Sequence, residues 1–403
     1  MTPGASHPEG TGPALVLGAG YAGVRLAHAV DRLGRGRIPV VLIDRHPMHV
    51  LRTELYEVGR LAGDSRAADR LTLSIRRVLE GTRVRFREGE VEAIDLPTRR
   101  VRVGGEDLPF RALAICLGSV PAYYGVPGAR EFTHMVYRLP AAQRLASALR
   151  ELEATSATWP TSRRPEVVVV GGGSTGTEVA AEIATVPWAR IAGHDVRTPQ
   201  VRLVTGSVPF LAGLHPALIR HARELLGRAG VEMVEGRNVA RVEADRLQLD
   251  DRVTELPFDL CVWAAGVQAP DLLRNLPLPH GHAGRLKVEP TLEVPGHPGV
   301  FSVGDTVEFE DPETHLVAPA TAQAALSEAS TAGANLVARW FGKPLRAYRY
   351  REKGTIVSVG RNAASGTTRH LTIWGAPAKL LKRAVEREYA LATERSQYPL
   401  TSR

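Results

Sequence analysis

Six glycines fall into two identical spacings, Gly18-x-Gly20-x-x-Gly23 and Gly171-x-Gly173-x-x-Gly176. Each set follows an apolar run ("ALVL" from Ala14, "VVVV" from Val167) and precedes a stretch with helical periodicity. In such a strand-to-helix turn the first glycine permits the tight turn and the second lets a pyrophosphate approach the backbone. The third lets helix and strand pack closely. Phosphates would rest on the free N–H groups of the helix N-terminus, where the dipole also favours them. A glycine-rich turn can serve packing alone. Here the strand "VVLID" follows and ends in Asp44, where this fold places an acid to accept from ribose hydroxyls. The duplicated spacing points to a chain that binds two dinucleotides.

Three further apolar runs end in small residues: "LAICLGS" (113 to 119), "LCVWAAG" (260 to 266) and "VFSVGD" (300 to 305). Each is short and bounded by turn residues, as inner strands of an α/β sheet are. Asp305 stands at a strand's C-terminal end, where ligands of open α/β sheets collect, although a carboxylate there can also cap the next turn. The residues after it, "PATAQAALSEASTAGANLVARW", predict a helix that begins at the same crevice. Cys116 and Cys261, the only cysteines, lie inside these strands and read as packing residues.

The elements that must carry these residues fit a chain of 403 residues, 44% hydrophobic, which can bury two or three domain cores. Two cysteines give no disulfide framework, which fits a reducing, cytoplasmic setting. The leader "MTPGASHPEGTGP" lacks the basic start and apolar stretch of an export signal and reads as disordered. No run approaches the roughly 18 apolar residues a membrane span needs. The net charge of +8 suits nucleic acid, an anionic membrane, or simply an arginine-rich surface; nucleic acid is not the expected partner. No C-x-x-C, H-E-x-x-H or Cys/His cluster is present, so neither a dithiol relay nor a metal site is expected.

The order of glycine fingerprint, "LGS", second fingerprint, "AAG" and "VGD" resembles the two-dinucleotide-binding-domain flavoproteins. Within them it is most similar to the type II NADH:quinone oxidoreductases, over roughly residues 14 to 362. The resemblance implies an α/β fold of two Rossmann-like domains, the second inserted into the first. It assigns residues 1–125 and 285–342 to an FAD-binding domain and 126–284 to an NAD(P)H-binding domain. Residues 343–403 would form a segment completing the flavin and acceptor pocket and ending in a basic amphipathic helix. It further implies that Gly18, Gly20, Gly23, Asp44, Gly304 and Asp305 hold FAD, and that "HVLRTELYEV" (49 to 58) runs beside the flavin ring. Gly171, Gly173 and Gly176 would hold NADH or NADPH. Glu178 is implied as the catalytic glutamate near nicotinamide and flavin, its competing role being a favourable charge in the first helical turn. Ala322, Gln323 and Lys353 are implied to line the acceptor pocket, a lysine in a basic loop being otherwise solvated.

Three departures from the family pattern bear on specificity. "VRLVTG" ends in Thr205 and Gly206 where an NADH-preferring member carries an acid, and no arginine adjoins Thr205 in sequence. Ser327 replaces the second glutamine of the quinone-site pattern. The segment "APAKLLKRAVEREYALATERS" is shorter and less aromatic than the usual membrane anchor. Its Leu380, Leu381, Ala384, Val385, Leu391 and Ala392 can share a broad helical face, with Lys379, Lys382, Arg383 and Arg387 interleaved. Such a helix could lie on an anionic inner leaflet, pack on its own protein, or pair with a second subunit.

The expected activity is an FAD-dependent NAD(P)H dehydrogenase passing hydride to flavin and two electrons to a quinone, without proton pumping. A reductase of a ferredoxin-like or rubredoxin-like protein is the enzyme alternative, and a dinucleotide-sensing flavoprotein the non-catalytic one.

Overall fold

Ala14–Leu17 (β1) is apolar and buried at every position, as an inner strand of a parallel sheet must be when both its faces are covered. The structure is a computed structural model that describes residues 11–64, 66–160, 162–186, 198–368 and 371–394. Most of the leader and the last two residues of the basic C-terminal stretch lie outside them. After β1 the chain turns into helix α1 (Tyr21–Gly34) and returns as β2 (Val40–Asp44). A short helix, α2 (Val58–Gly63), follows, then β3 (Arg85–Glu88) and β4 (Ala112–Ile115). Between β3 and β4 an antiparallel ribbon (Val91–Asp95, Arg100–Val103, Glu106–Pro109) covers one face of the sheet. Its alternation is legible in the sequence: Val101 and Val103 are buried while Arg100 and Arg102 face solvent.

The chain then leaves through Val120–Pro121, passes helix α3 (Leu139–Ser156), and builds a second fold on the same plan. Strand β5 (Glu166–Val170), helix α4 (Ser174–Thr185), β6 (Gln200–Thr205), helix α5 (Pro216–Arg228) and β7 (Val231–Glu235) are followed by another antiparallel ribbon and by β8 (Leu260–Trp263). The second parallel sheet has the order β7-β6-β5-β8. The chain crosses back through Val267–Gln268, which pairs antiparallel with Val120–Pro121. It then adds β9 (Val300–Ser302) beside β4, giving the first sheet the order β9-β4-β1-β2-β3. The first sheet is thus the second with one added strand.

Both folds are layered because alternate side chains of the central strands enter different cores. Leu15, Leu17, Val41 and Ile43 pack under the first ribbon, while Val16, Val40 and Leu42 pack against the helices. Each such buried aliphatic side chain contributes about 1.5–3 kcal/mol. Helix α6 (Ala322–Trp340), capped by the Thr321 hydroxyl accepting from Ala324 N, lies along α1. Their contact is close because Gly333 faces Ala29: an added Cβ would come within 2.8 Å of the Ala29 Cβ. The remaining segment forms an antiparallel sheet of β10 (Thr355–Ser358), β11 (Ala364–Thr367) and β12 (Thr372–Gly375), then helix α7 (Ala376–Glu394).

Candidate functional site

The two glycine turns are superposable in their contacts. Gly18 (φ +99°) lies against the Cys116 carbonyl at the end of β4, and Gly171 (φ +125°) lies against the Ala264 carbonyl after β8. A Cβ at these positions would come within 2.4 Å and 2.2 Å of those oxygens. A Cβ on Gly23 would stand 1.7 Å from the Gly18 oxygen, and one on Gly176 would stand 1.8 Å from the Gly171 oxygen. The middle glycines behave otherwise: nothing lies within 4 Å of a Cβ built on Gly20 or Gly173. Packing accounts for the outer glycines, whereas no packing contact requires glycine at the inner ones. Gly20 and Gly173 are the N-caps of α1 and α4, and neither helix start has a side-chain cap, so each presents free N–H groups to an anion.

Around the first turn the carboxylate of Asp44 accepts from Ala19 N (2.7 Å) and from His46 N (2.9 Å), which fixes the loop beside the end of β2. His49, buried, donates from Nδ1 to the Ala19 carbonyl (2.9 Å) and accepts at Nε2 from the Tyr389 hydroxyl of α7 (3.1 Å). Burial pushes the imidazole below its ordinary range, which keeps it neutral in that tautomer. Tyr389 also stacks on Tyr21 of the glycine turn, with centroids 4.5 Å apart.

The three strand ends singled out in the sequence converge. Ser119 of "LGS", Gly266 of "AAG" and Asp305 of "VGD" line one cavity of about 280 Å³, together with Arg285 and Ala320. Ser119 donates from its hydroxyl to Asp305 (2.8 Å) and also bonds the Tyr137 hydroxyl, which takes a further bond from Arg52 (2.8 Å). Gly304 (φ +76°) gives its N–H to buried Glu328 of α6 (2.7 Å). Burial, with Asp305 adding its charge, pushes the Glu328 carboxyl up to about 8.

Glu178 is the fifth residue of α4, just past the first turn where a charge would favour the helix start, so the helix-end role is corrected. Its Oε1 accepts from Ser358 N of β10 (3.0 Å) and forms an ion pair with Lys382 of α7. Lys379, one turn earlier on α7, reaches the Ser358 hydroxyl (3.0 Å), the Tyr56 hydroxyl (3.2 Å) and Glu57 (3.5 Å). Burial pulls the Lys379 ammonium down. The same burial pushes the neighbouring acids up: Glu182 to about 7, with Glu57 adding, and Glu386 to about 8, against the opposing charge of Lys382. The helix therefore corrects the expected interleaving. Lys379 and Lys382 turn inward, while Leu380, Leu381, Val385 and Leu391 remain exposed. An i, i+3 spacing of lysines followed by Glu386 was the available signal, since all three share one helical face.

Of the implied acceptor residues, Ala322 and Gln323 open α6, half-buried at its first turn. Lys353 is exposed, in the chain just before β10. A separate buried polar network runs through Ser358 and Lys382. Thr205 ends β6 fully buried against Gly172.

Comparison with known proteins fits this geometry. The sequence profile of the pyridine nucleotide-disulphide oxidoreductase family matches residues 13–329. The chain is 28% identical to demethylphylloquinone reductase NdbB of Synechocystis, over 95% of this chain and 93% of that one. It is 31% identical to the NADH dehydrogenase-like protein Rv1812c of Mycobacterium tuberculosis, over 92% of each. It is 25% identical to a type II NADH:quinone oxidoreductase of Staphylococcus saprophyticus, over 92% and 93%. Among solved structures, NDH2 of Plasmodium falciparum in complex with NADH shares the fold with a TM-score of 0.79 at 15% identity, covering 97% of this chain and all of that one. The sulfide:quinone oxidoreductase of Aquifex aeolicus does so with a TM-score of 0.80 at 17% identity, over 96% and 92%. Both cysteines are buried and free, Cys116 just past β4 and Cys261 within β8, and burial raises both thiols well above their ordinary range.

Proposed function

The chain belongs to the pyridine nucleotide-disulphide oxidoreductase family, in its type II NADH:quinone oxidoreductase branch, and from that premise we propose that its two dinucleotide folds serve one electron path. It is an FAD-dependent NADH dehydrogenase that delivers two electrons to a quinone without pumping protons. The observation that carries this reading is the pair of uncapped helix starts at Gly20 and Gly173, each open where a pyrophosphate would approach.

Bound FAD supplies a two-electron acceptor that takes a hydride from NADH and returns both electrons to a quinone. The residues of the first turn fit that group. Gly18 and Gly23 close the turn, Gly20 leaves room, and the α1 N-terminus would hold the phosphates. Asp44 would meet the ribose and Asp305, steadied by Ser119, would meet the polar chain that joins phosphate to ring. Gly171, Gly173 and Gly176 do the same for NADH. Glu178 and Lys382 stand between the NADH fold and the C-terminal segment. Reducing a quinone consumes protons, and the Lys382 Nζ and the Glu178 carboxylate are the groups placed to hold and pass one. Ala322, Gln323 and Lys353 would bound the acceptor's side.

No helix among the described residues is long and apolar enough to cross a membrane. Attachment is peripheral, through the exposed row of Leu380, Leu381, Val385 and Leu391 with Trp374, flanked by exposed Arg383 and Arg387, on the anionic cytoplasmic leaflet. Leu380 is 65% exposed, far more than a leucine meant to pack on its own chain. Pairing of this row with a second copy is the rival arrangement, which light scattering without lipid would reveal.

Anaerobic stopped-flow of the purified flavoprotein tests the electron path. NADH should bleach the flavin band, and a soluble quinone should restore it within one turnover. Protein that carries no flavin, or reduced flavin that no quinone reoxidises, would overturn the reading.

A further inference from the structure

The coenzyme's ribose is read at the C-terminal end of β6, and the residues there define a site of unusual charge. A carboxylate at this place accepts from the ribose 2′-hydroxyl and repels a 2′-phosphate. The chain has Thr205, neutral and 1% exposed, whose hydroxyl has no hydrogen-bond partner among the described residues. Gly206 and Ser207 follow.

Three carboxylates stand nearby, and each is already engaged. Glu235, paired with Thr205 in the parallel register of β6 and β7, is held by both terminal guanidinium nitrogens of Arg223. Asp250 accepts from the backbone N–H and the side-chain amide of Asn238, each at 3.1 Å. Asp251 accepts from Val253 N (3.0 Å), Thr254 N (2.9 Å) and the Thr254 hydroxyl (2.7 Å). Asn238 in turn accepts from Ser207 N (3.0 Å) and leaves no space for a side chain on Gly206, whose Cβ would approach it to 2.4 Å. The strand end is therefore pinned open by an amide where an acid would close it.

Among the described residues at this strand end, Arg237 is only loosely tied. Arg237 follows β7, donates its backbone N–H to the Thr205 carbonyl (3.3 Å), and is thereby anchored beside the strand end. Its guanidinium is about half exposed and approaches Asp251 only to 4.0 Å. The sequence spacing concealed this neighbour, which the parallel register brings alongside.

We propose that the second dinucleotide fold takes the 2′-phosphorylated coenzyme, NADPH, at least as readily as NADH, with Arg237 as the residue that pairs with the 2′-phosphate. This rests on the reading of that fold as the nicotinamide site. A guanidinium–phosphate contact is charge-assisted and planar, of the kind that arginine provides best. The Ser207 hydroxyl, exposed beside it, supplies a neutral donor.

The test compares flavin reduction in the holoenzyme by NADH and by NADPH under anaerobic stopped flow, for the native chain, Arg237→Glu and Arg237→Lys. The expected native ratio of NADPH to NADH efficiency is about one or higher. Arg237→Glu should lower the NADPH efficiency roughly ten- to a hundredfold, the loss of one charge-assisted bond, and leave NADH within about twofold. Arg237→Lys should recover part of the loss. A native preference for NADH of tenfold or more, or an equal loss with both coenzymes in Arg237→Glu, overturns the proposal. Failure of both coenzymes to reduce the flavin of the native chain would instead overturn the assignment of the nicotinamide site itself.

Discussion

Lys382 and Glu178 form an ion pair with each side chain about nine-tenths hidden, and it joins the last described helix to the helix that opens the second dinucleotide fold. The pair stands inside a larger group of buried charges comprising Lys379, Glu57, Glu182 and Glu386. Charges are costly to bury, so a cluster this dense is a strong candidate for proton handling.

Glu178→Gln retains an oxygen for the Ser358 N–H and removes the charge opposite Lys382. An unpaired buried ammonium costs about 3–5 kcal/mol, and Glu386, 3.8 Å from the same ammonium, offsets part of it. The melting temperature should fall while FAD remains bound, and quinone-driven reoxidation should slow by about tenfold or more. Adding Lys382→Met should recover the melting temperature without recovering turnover. Thermal melts and stopped flow on both variants check this, and unchanged reoxidation would strip Glu178 of a chemical role.

The inner glycines separate binding from folding. Gly20→Ala and Gly173→Ala place a methyl in open space, so both variants should fold with little change in stability. Gly20→Ala should be isolated with little flavin. Gly173→Ala should be isolated yellow, with NADH reduction weakened by about tenfold or more. Absorbance of the purified proteins and titration with NADH decide it; normal flavin content in Gly20→Ala would contradict the assigned cradle.

Glu328 makes stability depend on pH with a stated sign. Its carboxyl is pushed up to about 8 when folded and titrates near 4.5 in the unfolded chain. The folded state therefore holds the proton more tightly, so this contribution is complete below about pH 4.5 and is lost as the pH rises to about 8. Glu328→Gln, which can still accept from Gly304 N, should flatten the decline of melting temperature between pH 5 and pH 8, to the extent of about one proton. An unaltered slope would show that Glu328 is ionised in the folded state.

The exposed leucine row predicts a surface phenotype. Leu380→Glu with Val385→Glu changes two side chains that are more than half exposed, so the fold should persist. Sedimentation with vesicles containing anionic lipid should fall strongly, while activity with a short-chain soluble quinone should stay within about twofold. Undiminished vesicle binding would remove this row from the membrane contact.

Much of the fold was legible because its signals are local. The glycine turns, the uniformly apolar strands and Asp44 each announce themselves within about ten residues, and the duplicated spacing of Gly18 and Gly171 foretold two similar sheets. Asp305 was legible from its place at a strand end. What depends on distant packing was not. Lys379 and Lys382 read as basic residues interleaved with an apolar helical face because their counter-charges, Glu57 and Glu178, come from segments more than 200 residues earlier in the chain. Arg237 was invisible beside Thr205 for the same reason: adjacent parallel strands are neighbours only after the crossover between them has folded. The role of Tyr389, bridging to His49 and Tyr21, likewise has no local mark.

Helix α7 grips the first fold through Tyr389 and the second through Lys382, so one rod spans the seam between them. Vectorial synthesis delivers that rod after both sheets have emerged. Until it docks, the halves lack this one of their fasteners and the acids Glu57, Glu178 and Glu182 lack the lysines that face them. A polypeptide interrupted before this stretch would own both nucleotide cradles with one brace missing, held together by the packing of α2 on α3 and α4 and by the paired crossing segments.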